Sequence, residues 1–230
     1  QRDVQEFHRL SSQNPRVQAT ALERGLSLPQ TLDMLGPDPT TAEETIKEIF
    51  EQSLKHLKDE VPNVEAQQIQ TLCEVIASLR PSIPINVLAV ASGMDESAIK
   101  SFLVDLGRPL SITGDAVQFF DEPSETWFRE TYKPKQAQLT RFIKAIRPLA
   151  TENSYVASAL PQLMLEAGQY EELLELVFED AELPYENPVD RRNALLQRLQ
   201  FALKAALRMK RYDDAAKLAL KAGGETASNN

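Results

Sequence analysis

The amino-acid sequence predicts a mainly-α protein, and three observations carry that expectation. Apolar residues recur at helical spacing through most of the 230 positions. The only β-type runs lie together between residues 110 and 120, and prolines and glycines fall where the helical periods stop. Hydrophobic residues make up 42% and charged residues 26%, the balance of an ordinary globular chain, so the sequence is expected to fold. It divides into residues 1–62, 63–133 and 134–230.

The first segment is helical, with a break at Gly36-Pro37-Asp38-Pro39. A helix is expected just after it. Thr41 stands three residues before Glu44, the capping-box spacing in which each side chain satisfies a backbone N–H at the other's position. Ile46, Ile49, Phe50, Leu54 and Leu57 then give one apolar face, and Val61-Pro62-Asn63 ends the helix.

The second segment reads as three helices and a hairpin. Ile69, Leu72, Cys73, Ile76 and Leu79 form the first stripe, stopped by Arg80-Pro81, because a residue before proline is disfavoured in the α region. A short helix from about Pro84 to Ser92 turns at Gly93. A third from about Asp95 carries Ile99, Phe102, Leu103 and Leu106 and ends at Gly107. The runs Leu110-Ser111-Ile112 and Ala116 to Phe120, separated by Thr113-Gly114-Asp115, then make a β-hairpin. Three helices followed by a hairpin is the order of a winged-helix domain, the hairpin being the wing. A last amphipathic helix, about 124–132, is opened by Pro123 and carries Trp127 and Phe128 as core anchors. Phe119 and Phe120 cannot both face inward from one strand.

The third segment is helix after helix: one marked by Leu139, Phe142, Ile143 and Ile146, then pairs over 152–167 with 170–180 and 188–209 with 212–222. Gly168-Gln169-Tyr170-Glu171-Glu172-Leu173 matches Lys210-Arg211-Tyr212-Asp213-Asp214-Ala215. The match suits an α-solenoid-like, TPR-like repeat, with both tyrosines expected to pack against the preceding helix of their pair.

Several function classes are disfavoured. No glycine stands in a phosphate-cradling loop, no nucleophile elbow is present, and His8 and His56 have no cysteine or histidine at metal-ligand spacing. Neither a catalytic residue nor a metal is therefore expected. Glu43-Glu44 and Glu171-Glu172 lie in first turns, where they favour the helix dipole. Cys73, the single cysteine, falls in an apolar stripe and reads as a buried thiol; with no signal peptide and no membrane-length apolar run, a cytoplasmic location is expected. The formal charge of −9 opposes general nucleic-acid binding. DNA reading by the third helix is opposed further by Asp95 and Glu96 at its N-terminus and Asp115 in the wing tip. One basic run stands out: Arg191, Arg192, Arg198, Lys204, Arg208, Lys210 and Arg211, with no acid between. It reads as a solvated helix face, with Arg191, Arg192, Arg198, Lys204 and Arg208 as candidate partner-facing residues.

Residues 79–88, Ile99-Lys100-Ser101-Phe102-Leu103, Gly107-Arg108-Pro109-Leu110 and Val117 to Pro123 resemble the winged-helix domain of STAND-class P-loop NTPases of the NACHT type. The order of parts is similar too. The resemblance implies that residues 1–62 are the tail of a nucleotide-binding module and its helical domain, which Asn14-Pro15-Arg16-Val17-Gln18 would open. Arg2 would stand at the place of the family's sensor arginine. Residues 134–230 would begin a repeat region that senses a ligand. It further implies an upstream P-loop domain, absent from this chain, that supplies the ATP or ADP site; no cofactor is expected in the chain itself. Many members carry a histidine near Phe119-Phe120 that reaches the nucleotide phosphate, whereas this sequence has Asp121. A carboxylate repels phosphate, so Asp121 is expected to cap the following helix or to pair with a cation, with Glu122 and Arg129 as further candidates facing the nucleotide domain.

These expectations describe the regulatory arm of a signalling or defence ATPase such as those of antiviral defence, whose partners would be the upstream NTPase domain and a protein sensed by the repeats. A helical-repeat scaffold for protein–protein interaction and a winged-helix transcription regulator are the alternative readings.

Overall fold

A computed structural model describes residues 2–22, 25–36, 42–59, 62–107, 110–179 and 183–227. Pro37 to Thr41, Val61, Arg108 and Pro109 lie outside the described residues, as do the side chains of Arg16, Ile46, Ile49 and Phe50, so the capping box at Thr41 does too. The architecture is mainly α, with one small sheet.

Three short helices, α1 (Arg2–Leu10), α2 (Pro15–Leu22) and α3 (Leu28–Leu35), bury Phe7, Leu10, Val17, Met34 and Leu35 in a small core of their own. The long α4 (Ala42–Asp59) follows, and its Leu54 joins the larger core of the remaining elements. That larger core is continuous from Leu54 to Leu218, so it runs through position 134 without a break.

The winged helix is built from α5 (Asn63–Ser78), β1 (Ile83–Pro84), α6 (Ile85–Ser92), α7 (Glu96–Leu106), β2 (Leu110–Thr113), β3 (Ala116–Phe119) and α8 (Glu122–Thr131). The sheet is antiparallel in the order β1-β3-β2, with Leu110 opposite Phe119 and Ile83 opposite Val117. Only the β2–β3 hairpin was legible in advance. A two-residue strand has no periodicity to read, and Pro84, which cannot donate a ladder hydrogen bond, is tolerated because β1 is an edge. The pairing continues one residue further, where the Ile85 N–H donates to the Asp115 carbonyl at 2.9 Å.

Packing inside this unit follows the apolar stripes. Cys73 is fully buried, and Ile99, Phe102, Leu103 and Leu106 close α7 onto the core. Phe128 is fully buried, with Phe119 edge-on at 5.4 Å between ring centres, while Phe120, one residue along the strand, is 52% exposed. Trp127 is half-buried and flanks Phe128 and Tyr132.

The third part comprises α9 (Gln136–Ile146), a 3-10 turn (Arg147–Thr151), α10 (Ser154–Glu166), α11 (Tyr170–Phe178), α12 (Pro188–Arg208) and α13 (Tyr212–Ala227). Both helix pairs turn in the same way. The Gln169 N–H reaches back to the Met164 carbonyl and Gly168 N–H to Leu165; Arg211 N–H reaches Ala206 and Lys210 N–H reaches Leu207. Each is a Schellman end with its C′ residue left-handed, Gly168 at φ +72° and Lys210 at φ +60°. The expected equivalence of the two tyrosines fails at the side chains. Tyr170 is half-buried beneath Arg208 of α12, whereas Tyr212 is 66% exposed. α12 covers the sector of α11 that holds Leu174 and Val177, both 2% exposed, while the matching Ala216 and Ala219 of α13 face outward.

Candidate interaction site

The joint between winged helix and helix pairs begins at Arg80, where Pro81 stops α5 and directs the chain away from the helix axis. The Arg80 Nε–H donates to Gln162 Oε1 on α10 at 2.7 Å. Turning the Gln197 amide of α12 so that its oxygen faces the guanidinium lets it accept from Nη1 at 2.8 Å and Nη2 at 3.2 Å. The guanidinium also lies 5.8 Å from the Phe201 ring centre, in cation–π range. Tyr155 completes the joint: its hydroxyl donates to the Arg80 carbonyl at 2.7 Å. Burial pushes the Tyr155 phenol well above the ordinary tyrosine range, against a smaller opposing effect of Arg129 and Arg80. Tyr132 is pushed up by burial in the same way.

Beside this joint lies an open cleft of about 1030 Å³, walled by the ends of α5, α8, α10 and α12. It presents four cationic side chains, Arg80, Arg129, Lys133 and Arg208, against three carboxylates, Glu125, Glu130 and Glu166. Arg129 is spoken for: Nε donates to Glu125 at 2.7 Å and Nη1 to the Ala77 carbonyl at 2.7 Å. Glu166 accepts from Gln162 at 2.8 Å. Arg208 makes its contacts with a neutral group, donating to the Tyr170 hydroxyl at 3.2 Å and lying 5.7 Å from its ring centre. Arg80 likewise has only neutral partners among the described residues, and Lys133 is exposed with none. These groups are suited to holding an anion in place.

The candidates read from the sequence divide. Asp121 caps α8, its Oδ1 accepting from the Ser124 N–H at 2.9 Å. Glu122 is exposed in the first turn, and its spacing from Arg129 keeps both on one helix face, roughly 10 Å apart along the axis.

The basic run on α12 is not one solvated face. Arg198 is 4% exposed and presents nothing to a partner, which corrects its place among the partner-facing residues; its position beside Leu199 and Ala202 turns it inward. Arg192 is half-buried and donates to the Thr226 carbonyl at 3.1 Å. Arg191 is exposed, Lys204 lies 5.3 Å from the Phe201 ring centre, and Arg208 is in the cleft. Beyond the helix, Arg211 pairs with Asp214 at 2.6 Å and with Glu171.

On α7, Asp95 and Glu96 do stand at the N-terminal end, and Lys100 reaches Asp115 of the wing turn at 3.4 Å. Among the described residues no helix is long and apolar enough to cross a membrane, and no cluster of three His, Cys, Asp or Glu residues is placed to hold a metal. Sequence reasoning missed Arg80, Lys133, Tyr155 and Gln162. Arg80, Tyr155 and Gln162 meet partners 75 or more positions away, and no local spacing carries that information. Compared with protein-family models the chain matches none, and no curated protein matches it.

Proposed function

We propose that this chain is the regulatory arm of a nucleotide-dependent switch of the STAND class, coupling what its helix pairs bind to the nucleotide state of an upstream P-loop domain. The observation that carries the reading is the shared core. A winged helix whose buried residues are continuous with those of the helix pairs moves with them, so force applied to the repeats reaches the wing and α8 without loss in a hinge. α8 then supplies the surface toward the nucleotide domain through the exposed Glu122, with Asp121 fixing its N-terminus, while Arg129 is held in the cleft by Glu125 and the Ala77 carbonyl. The acidic start of α7 and the pairing of Lys100 favour this protein-facing role over reading of DNA.

A scaffold for protein contacts alone is the second reading, favoured by the cationic cleft. The two part at the reading frame. The switch requires a P-loop NTPase domain encoded in frame before residue 1, and amides 121–129 that exchange more slowly in the joined protein with ADP than with ATP and ligand. A frame with no such domain, or exchange indifferent to it, replaces the switch with the scaffold.

A further inference from the structure

We propose that the cleft between winged helix and helix pairs binds an acidic peptide segment of a partner protein. The inference stands apart from any upstream ATPase, since every residue it uses lies between positions 77 and 208.

The electrostatics argue first. The protein carries −9 overall, yet this cleft holds more cations than carboxylates. Glu125 is paired with Arg129, which leaves Arg80, Lys133 and Arg208 against Glu130 and Glu166, the last accepting from the neutral Gln162. Lys133 and Arg208 are exposed, and neither meets a carboxylate among the described residues; Arg80 adds a third charge held only by amides and a ring. A concave surface with an excess of one sign raises the local density of oppositely charged groups. Lys133 and Arg208 line the same recess and are in place for carboxylates arriving from outside.

Shape and lining select a peptide from among anions. The cleft is open, with Pro81, Pro134 and Leu139 as apolar lining and Gln136 and Tyr170 as polar groups. An extended chain with acidic side chains spaced among apolar ones matches that mixed lining. A dense polyphosphate does not, because Glu130 and Glu166 leave the recess only a small excess of positive charge, enough for spaced carboxylates and not for closely packed phosphates. Gly168 also lines the cleft, and a Cβ there would stand 3.0 Å from Gln136 Nε2, whose amide donates to the Ala167 carbonyl at 2.6 Å.

Fluorescence polarisation on the full chain tests this with three labelled peptides that differ only in carrying glutamate, glutamine or lysine between leucine and serine residues. The glutamate peptide should bind, more weakly as salt rises, and the double variant Lys133→Glu, Arg208→Glu should lose at least about tenfold in affinity while gaining affinity for the lysine peptide. Lys133→Gln, which removes an exposed side chain without partners, should weaken binding in the same direction with circular dichroism unchanged. Equal binding of the three peptides, or an affinity indifferent to both variants, would overturn the proposal. So would duplex DNA displacing the glutamate peptide at lower concentration than unlabelled peptide does.

Discussion

The Arg80 guanidinium donates to Gln162 Oε1 at 2.7 Å, joining residues 82 positions apart and tying the end of α5 to the middle of the first helix pair. A hydrogen bond from a charged donor in a partly buried site contributes about 1.5–3 kcal/mol, and the Gln197 and Phe201 contacts add to it. Arg80→Ala should therefore lower unfolding free energy by about 2–4 kcal/mol in urea titrations, and Gln162→Ala by about 1 kcal/mol. Their double variant should lose less than the sum, because the two residues share one interaction.

Alkaline pH should weaken the fold through Tyr132 and Tyr155. Both phenols are raised above their unfolded value by burial, so the unfolded state releases protons first as pH rises. The stability they contribute is complete below the ordinary tyrosine pKa of about 10 and is lost above it. The urea midpoint should fall between about pH 9 and pH 11, and the fall should be smaller in Tyr155→Phe.

The two helix-pair junctions share a backbone shape but not a residue, which sets up opposite mutational effects. Gly168→Ala places a Cβ in the left-handed region and against Gln136, and should cost about 1–2 kcal/mol. Lys210 already bears that strain, so Lys210→Gly should be neutral or stabilising by about 0.5 kcal/mol. Thermal melts of the two variants check both signs.

Tyrosines that match in sequence should differ in worth. Tyr170→Ala removes a half-buried ring with its Arg208 contact and should cost about 1–3 kcal/mol, whereas Tyr212→Ala should stay within about 0.5 kcal/mol of the parent. Denaturant titration of the pair reads the difference directly.

What the sequence disclosed was local. The stripe Ile99, Phe102, Leu103, Leu106 placed α7, the Thr113-Gly114-Asp115 turn placed the wing, and Asp121 two residues before Pro123 announced a cap that the structure contains. The missed features depend on distant partners. Arg80 reads as a helix-stopping neighbour of proline until Gln162, Gln197 and Phe201 surround it, and Ile83 reads as loop until Val117 pairs with it. Arg198 belongs to a basic run by its letters and to the core by its angle on α12. Tyr212 repeats Tyr170 in sequence, but the cover over Tyr170 comes from α12, which the repeat signature does not encode.

The central claim is that winged helix and helix pairs form one mechanical unit on one core. Trp127, the single tryptophan, reports on the winged helix, while far-ultraviolet circular dichroism is dominated by the helices, many of them in the pairs. Equilibrium urea unfolding followed by both signals should give coincident transitions with the same midpoint and slope. A tryptophan transition completed at clearly lower or higher urea than the loss of helix would show two independently folding bodies, and would contradict the coupling on which the arm depends.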